Sequence, residues 1–300
     1  MLNANRTTGI TPDFEAMAAA LDATDAYKVL RRLPVRDVVA LDDGAPHRVA
    51  VMLDVETTGL DAATDEIIEL AMVKFTYGLD GTIRRIGPTF EGFRQAAAPI
   101  PTAITRLTGI TDEMVAGHVI DPAAVAAFVR ESDLVLAHNA AFDRRFLERF
   151  CPIFIEKPWA CSMSEVDWSS EGFEGTKLGY LAASAGFFYD RHRAVTDCLA
   201  AIELLSLPLP ASGVVAMSRL LESARRPIWR ILATGAPFET REKLKARRFR
   251  WEGTKRVWYL DVTEDAKEKE IEYLRREIYG GRDGHNVIKL TAYERFSSRC

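Results

Sequence analysis

The stretch that most constrains this chain is VAVML at residues 49–53, an apolar run of strand-forming residues that leads into Asp54 and Glu56. Side chains two residues apart on a strand point to the same face, so both carboxylates would share one face of a buried strand. Like charges in that position repel each other and lose hydration. The arrangement is tolerable if a divalent cation lies between them, because Mg²⁺ takes oxygen ligands. The plainer alternative is a strand end that emerges into water.

Two further acids stand in similar surroundings. Asp143 lies in LAHNAAFDRRF, early in a predicted helix that follows an apolar strand; the alternative is a first-turn acid that the helix dipole stabilises. Asp197 lies among apolar residues of RHRAVTDCLAAIELL and is expected to face inward, where an unpaired carboxylate is costly. His192 comes five residues earlier, at or just before the helix start. Alone, it would be read as a surface histidine.

Hydrophobic patterning indicates the fold class. It predicts strands at 48–55, 65–77, 81–93 and 133–139, a short strand after Pro152, and helices at 12–33, 102–116, 121–131, 140–150, 176–185 and 193–206. Three strands in a meander followed by alternating helices and strands are typical of an α/β fold, a mixed sheet with helices on both faces.

The charge distribution indicates two parts. Residues 1–213 carry 19 Lys and Arg against 30 Asp and Glu, a net −11, whereas residues 214–300 carry 20 against 13, a net +7. Together with the linker-like composition of LPLPASG at 207–213, this split predicts an N-terminal helical extension at 1–47, an α/β domain at 48–206, a linker at 207–213 and a small basic α+β domain at 214–300. A basic domain of this kind is suited to a polyanionic partner.

Three motifs occur in a specific order, DVETTG at 54–59, HNAAFD at 138–143 and HRAVTD at 192–197. With these spacings the chain resembles the DEDDh superfamily of 3′–5′ exonucleases, which includes the proofreading epsilon subunit of bacterial DNA polymerase III. The resemblance covers about residues 48–206, and LTGITDEMV at 107–115 is similar to a segment between the first two family motifs. It implies an RNase H-like core.

The resemblance also implies a two-metal mechanism, with Mg²⁺ or Mn²⁺ as the cofactor. Asp54 would bridge both ions, and Glu56 and Asp197 would complete the first site. Asp143 would support the second ion, directly or through water. His192 would be the general base that takes a proton from the attacking water. The product would be a nucleoside 5′-monophosphate released from the 3′ end.

Four residues are expected to contact the substrate. The Thr57 backbone and the Leu60 side chain match family positions that hold the terminal nucleotide. Phe142 would stack against a base or anchor its helix in the core. Asn139 would hydrogen-bond near the site or only cap its helix.

The other informative stretch is FETREKLKARRFRWEGTKRVWYLDV at 238–262. Between residues 241 and 258 it carries eight Lys and Arg against two Glu, interleaved with aromatic residues. It predicts a β-hairpin whose candidate nucleic-acid contacts are Arg248, Arg250, Trp251, Lys255 and Trp258. The alternative is that the tryptophans form a small core beneath a solvated basic face. A helix is predicted at 264–280.

Several functions remain open at this point. The leading hypothesis is a metal-dependent 3′–5′ exonuclease acting on DNA in proofreading, repair or end trimming; the alternatives are an exoribonuclease and a catalytically inactive nucleic-acid-binding scaffold. A polymerase or repair partner would dock on 12–33 or 264–280; the alternative is that each of these segments packs on its own domain. No apolar run approaches the ~20 residues of a membrane span. The four cysteines show no metal-binding spacing, so we expect a cytoplasmic protein with reduced thiols.

Overall fold

The computed structural model describes residues 13–41, 44–253 and 255–300. Its strands are β1 (Arg31–Arg32), β2 (His47–Thr57), β3 (Ile67–Gly78), β4 (Ile83–Phe93), β5 (Leu134–Ala137), β6 (Trp159–Cys161), β7 (Phe187–Phe188), β8 (Ile228–Ala233), β9 (Arg250–Glu252), β10 (Val257–Val262) and β11 (His285–Leu290).

The helices lie between these strands. They are α1 (Phe14–Asp22), α2 (Thr102–Thr108), α3 (Asp112–Val115), α4 (Pro122–Val129), α5 (Ala140–Phe150), α6 (Ile153–Glu156), α7 (Leu178–Ser184), α8 (Ala194–Ser206), α9 (Ala216–Arg225), α10 (Arg241–Ala246) and α11 (Glu264–Tyr273), with a short 3₁₀ helix at Phe238–Thr240 and a π-helical turn at Leu274–Ile278.

The main sheet has five strands in the order β4-β3-β2-β5-β6. Strands β2, β3 and β4 pair antiparallel, while β5 pairs parallel with both β2 and β6. The meander turns at Gly81, whose φ of 91° needs a glycine, and the Asp80 carboxylate accepts a hydrogen bond from the Thr82 N–H at 3.0 Å. This mixed sheet confirms the predicted fold class.

The two faces of the sheet are covered by different helices. Ala50 and Met52 of β2 pack in the core with α7, α8 and α9, whereas Val51 and Leu53 pack in the opposite core with α4 and α5. Because strand side chains alternate, Asp54 continues the series of Ala50 and Met52 and lies on the α8 side. The alternation thus decides which helix the β2 carboxylates meet.

The N-terminal extension contains a shorter helix than predicted. The helix ends at Asp22, whose carboxylate accepts a hydrogen bond from the Val29 N–H, and β1 then pairs parallel with β7. The prediction of a helix to residue 33 is therefore wrong, because strand pairing takes the backbone groups of residues 31–33. Residues 1–12 and 42–43 of the predicted extension lie outside the described residues.

The predicted helix at 102–116 is also divided. Helix α2 ends at Thr108 and is followed by Gly109, which has a φ of 73°, and α3 begins after Thr111, whose hydroxyl accepts a hydrogen bond from the Met114 N–H. A left-handed glycine is a common helix terminator, so this break had a local signal.

The C-terminal part contains a four-stranded antiparallel sheet in the order β11-β8-β10-β9. Its core joins Ile231 and Phe249 to Ile271 and Leu274 of α11 and the π-helical turn. The small α+β unit and the β9–β10 hairpin are as predicted, while Thr254, within the predicted turn, lies outside the described residues.

The division into domains at 207–213 stays a prediction, and several contacts link the two sides. Helix α9 packs in the same core as α8, and Leu209 is buried. Arg144 of α5 donates hydrogen bonds to the backbone oxygens of Tyr293 and Arg295, each at 2.6 Å. The Arg295 guanidinium forms a buried ion pair with Glu165.

Candidate active site

Strand β2 places the first two carboxylates at its C-terminal end. Asp54 and Glu56 project toward α8 and are half-buried, whereas Val55 between them is buried on the other side. The pairing with β3 shifts register between Glu56 and Thr57, and the Thr57 hydroxyl donates a hydrogen bond to the Gly59 oxygen at 2.6 Å. The strand therefore ends in a tight bend directly after its acids.

Helix α8 supplies the third carboxylate from its first turn. The Asp197 oxygens accept hydrogen bonds from the Tyr189 hydroxyl at 2.9 Å and from the Arg193 N–H at 3.2 Å. His192 precedes the helix with a φ of 64°, a left-handed conformation that is uncommon for a residue with a side chain. The helix start is thus shaped to hold Asp197 at the end of β2.

The three carboxylates converge. One oxygen from each of Asp54, Glu56 and Asp197 lies within 4.8 Å of the other two. Side chains separated by more than 140 positions in the sequence thereby form one all-oxygen donor set, the type that Mg²⁺ and Mn²⁺ prefer.

Asp143 lies next to this cluster but is not one of the converging three. It is only 2% exposed, and its Oδ1 accepts a hydrogen bond from the Val55 N–H at 3.2 Å. Helix α5 therefore places this carboxylate against the backbone between the two β2 acids.

The pKa values of these acids show how costly the cluster is without a cation. Burial, followed by the charges of Asp143 and Asp197, raises the pKa of Asp54 well above its usual range. Burial also raises the pKa of Glu56 to about 7 and that of Asp143 to about 8. Bound divalent cations would reverse these shifts, since they favour the ionised carboxylates.

The two histidines of the motifs are held differently. The ring of His138 hydrogen-bonds both the Ser162 hydroxyl, at 2.9 Å, and the Thr176 oxygen, at 2.8 Å, and burial lowers its pKa to about 4. The half-buried ring of His192 makes no hydrogen bond to any residue that the structure describes. His138 is therefore a structural residue, whereas the nitrogens of His192 are available to a substrate or water.

Two residues near the cluster were not found from the sequence. Glu69 of β3 lies opposite Glu56, is fully buried, and accepts hydrogen bonds from the Ala194 N–H and the Arg193 Nε, each at 3.3 Å. Tyr189 holds Asp197 as described above. Glu69 had one signal, an acid within the apolar run IIELAMV, but nothing local indicated its partners.

The predicted substrate contacts fall into two groups. Leu60 is 85% exposed beside the bend, and Asn139 is exposed, with a φ of 82° and no side-chain capping bond. Thr57 is buried, and Phe142 packs on Phe146 with ring centroids 5.0 Å apart. Leu60 and Asn139 are thus accessible to a ligand, whereas Phe142 also has a core contact.

The predicted nucleic-acid contacts of the hairpin are mostly exposed. Arg248, Arg250 and Lys255 are exposed, and Trp251 is 52% exposed. Trp258, paired directly opposite Trp251, packs against the core of the small sheet. The hairpin therefore has one tryptophan in the core and one at its edge.

Within the described ranges, none of the helices has the length and apolar character needed to cross a membrane. This agrees with the absence of a long apolar run in the sequence.

Comparisons with known proteins place these features in a family. DNA polymerase III PolC-type of Bacillus subtilis (strain 168) is 38% identical over 144 residues, which are 41% of this chain and 9% of that protein. The PolC-type polymerase of Caldanaerobacter subterraneus subsp. tengcongensis is 31% identical over 206 residues, 63% of this chain and 14% of that protein. The chain thus spans only a small fraction of either relative.

Solved structures with a similar chain path include Exonuclease I, at 16% identity and a TM-score of 0.49, covering 82% of this chain and 63% of that chain. Exonuclease X in complex with 5′ overhanging duplex DNA has 24% identity and a TM-score of 0.41, covering 56% of this chain and 99% of that chain. A family model described as Exonuclease, RNase_T, matches residues 51–205, more than half of the chain, and confirms the resemblance drawn from the three motifs. The chain therefore belongs to the RNase_T family of exonucleases.

Proposed function

We propose that this protein is a metal-dependent 3′–5′ exonuclease that removes nucleoside 5′-monophosphates from the 3′ end of DNA. The observation that carries the proposal is the convergence of Asp54, Glu56 and Asp197 within 4.8 Å, beside a histidine with free ring nitrogens. The PolC-type relatives are DNA polymerases by name, which supports DNA as the substrate and a polymerase or repair partner as the context.

The donor set fits divalent cations. Asp54, Glu56 and Asp197 would hold one Mg²⁺ or Mn²⁺, and Asp54 with Asp143 would hold a second. When bound, the ions supply Lewis-acid stabilisation of the charge on the phosphate and the leaving oxygen. The raised pKa values of Asp54, Glu56 and Asp143 support this assignment, because they mark carboxylates whose charge lacks compensation.

His192 is the general base in this proposal. Its ring takes a proton from the attacking water, whose oxygen bonds to phosphorus while the bond to the 3′ oxygen of the preceding nucleotide breaks. That oxygen leaves as a 3′ hydroxyl after it gains a proton. The hydrogen bond from Tyr189 fixes Asp197, and His192 stands just before α8 in a left-handed conformation, five residues before Asp197.

The terminal nucleotide would lie between the β2 bend and the start of α5. The Thr57 backbone and the exposed Leu60 side chain would contact it on one side, with Asn139 and Phe142 on the other. Leu60 supports this role most directly, since an apolar side chain exposed beside charged groups is suited to stack on a sugar or base.

The test is digestion of matched 5′-labelled and 3′-labelled single-stranded DNA and RNA oligonucleotides with Mg²⁺, Mn²⁺ or EDTA. We expect stepwise shortening of the 5′-labelled DNA with either ion, none with EDTA, and none with Asp54→Asn. Asp25→Asn, an exposed aspartate remote from the cluster in sequence, is the matched control. Tight binding without cleavage under every metal would refute the enzyme and favour a scaffold; faster RNA cleavage would assign an exoribonuclease.

A further inference from the structure

The β9–β10 hairpin carries a second group of like charges. We define the hairpin surface as Arg248, Arg250, Trp251, Lys255 and Arg256, all of which are exposed. Among the described residues, no carboxylate lies within 4.0 Å of any of these four cations. The nine positions 248–256 thus hold four positive charges against one negative charge, that of Glu252.

Neighbouring cations differ in this respect. Arg247 pairs with Glu270 at 2.8 Å, Lys245 with Glu242 at 3.1 Å, and Lys243 with Glu277 at 3.6 Å. Each of these three cations thus faces a carboxylate, whereas the four hairpin cations form no such pair within the described ranges and their stretch of chain holds one acid, Glu252. Because the hairpin cations lack such ion pairs to any residue that the structure describes, the hairpin surface is better suited than α10 to bind an external polyanion.

The backbone holds two of these arginines in an unusual conformation. Arg248 has a φ of 68° and Arg256 a φ of 49°, both in the left-handed region that non-glycine residues seldom adopt. Each stands directly before a buried residue, Phe249 and Val257 respectively. The core thus fixes the neighbours while both arginines project from it, and such local strain is concentrated at binding sites.

Trp251 adds an aromatic platform. Its ring centroid lies 5.5 Å from that of Trp258 with an interplanar angle of 58°, and Trp258 is held by the core. Half of the Trp251 side chain remains exposed. A tryptophan supported from one side and free on the other can stack on an unpaired base.

A chain of contacts joins this surface to the active-site helix. The Lys255 amino group donates to the Arg299 oxygen at 3.4 Å, and the Arg299 guanidinium pairs with Glu148 of α5 at 3.2 Å. Glu148 lies five residues beyond Asp143, about 8 Å along the helix. These two contacts connect the hairpin to α5, the helix that carries Asp143.

We propose that the hairpin surface binds single-stranded nucleic acid some nucleotides upstream of the 3′ end that enters the active site. Arg248, Arg250, Lys255 and Arg256 contact phosphates, and Trp251 stacks on a base. An unpaired strand fits better than a duplex, because a duplex hides the base faces that an exposed tryptophan would cover. The role as a substrate-holding site rests on the proposed exonuclease function, although the binding itself does not.

The first test is fluorescence anisotropy with a labelled 20-nucleotide oligothymidine, in an Asp54→Asn background with EDTA to prevent cleavage. We expect Arg250→Ala with Lys255→Ala to weaken binding about tenfold or more and to lower the salt slope by about 1.4, at ~0.7 per phosphate contact. Trp251→Ala should weaken binding about fivefold or more, and Trp251→Phe much less. Lys243→Ala with Lys245→Ala, exposed but paired cations of α10, is the matched control and should change affinity less than twofold.

The second test compares cleavage of a thymidine dinucleotide with that of the 20-mer, without the Asp54 change. The hairpin variants should lower kcat/KM about tenfold on the 20-mer and leave the dinucleotide unchanged. Equal losses on both substrates, or unchanged binding of the 20-mer, would overturn the inference and leave an acidic protein as the partner to test. A chain that cleaves neither substrate yet binds the 20-mer through the hairpin would refute the proposed function alone.

Discussion

The carboxylate cluster and the hairpin surface both hold like charges close together, yet they differ in burial. The cluster joins the half-buried side chains of Asp54, Glu56 and Asp197 from distant parts of the chain, and burial is the largest cause of their raised pKa values. The hairpin gathers its cations within nine positions in water. Buried like charges need compensating ions to remain ionised. Exposed like charges remain ionised in water without a partner and are therefore available for transient binding.

The two regions also share a backbone feature. In the described part of the chain, five non-glycine residues have a positive φ, and four of them lie in these regions: Asn139 and His192 at the cluster, Arg248 and Arg256 at the hairpin. Local strain of this kind persists only where the surrounding structure enforces it. This shared backbone feature supports the roles proposed above for both regions.

The largest expected effect is the loss of kcat when His192, the proposed general base, is replaced. His192→Ala should lower kcat about 10²–10⁴-fold, since general-base catalysis contributes that much, with little change in KM. Single-turnover kinetics with saturating Mg²⁺ measures it. A His192→Ala enzyme with unchanged kcat would mean that another group activates the water.

The next effect tests whether the cluster is a cation site that competes with protons. The pKa values of Glu56, about 7, and Asp143, about 8, mean that both carboxyls gain protons as the pH falls through this range. The apparent Kd for Mg²⁺ should therefore rise about 10- to 100-fold from pH 8 to pH 6. Titration calorimetry checks this, with Asp54→Asn as the non-binding control; a pH-independent Kd would contradict the assignment.

The free energy of unfolding tests the contrast between the buried carboxylates and the exposed hairpin cations. The folded pKa of Asp54 lies above its unfolded value, so the carboxyl destabilises the metal-free fold increasingly as the pH rises above about 4. In EDTA at pH 8, Asp54→Asn should raise the free energy of unfolding by about 1–3 kcal/mol, and much less at pH 4.

The matching change at the hairpin, Arg250→Ala, should alter the free energy of unfolding by less than about 0.5 kcal/mol at either pH. Urea denaturation followed by circular dichroism measures both variants. An equal response at the two sites would remove the distinction between a buried and a solvated charge set.

The last prediction concerns Glu69, which we infer to be a positioning residue. Glu69→Gln keeps an acceptor for the Ala194 N–H but loses the charge that faces Arg193, so the loop that carries His192 should loosen and kcat should fall about tenfold. Glu91→Gln removes the other acid beside Arg193, a half-exposed pair at 3.6 Å, and should cost less than twofold. Identical kinetics for the two variants would show that burial of Glu69 has no bearing on the site.

Much of the fold could be predicted because its signals are local. The apolar run VAVML predicted a strand, whose two-residue period places Asp54 and Glu56 on one face, and helix periodicity placed α5 and α8 within a residue of their observed bounds. Turn residues and alternating side chains were likewise enough for the β9–β10 hairpin. In each case the residues that decide the structure lie within a few positions of each other.

The remaining features depended on contacts between distant residues. Residues 31–32 form a strand because β7, more than 150 positions later, offers its backbone, and this pairing overrides their helical spacing. Glu69 gains its partners only when α8 begins beside β3. The sequence by itself determined which acids the chain carries and on which face of β2 two of them stand. Only the tertiary structure decided that Asp197 meets them, because the distance between side chains on different elements is set by packing and not by spacing along the chain.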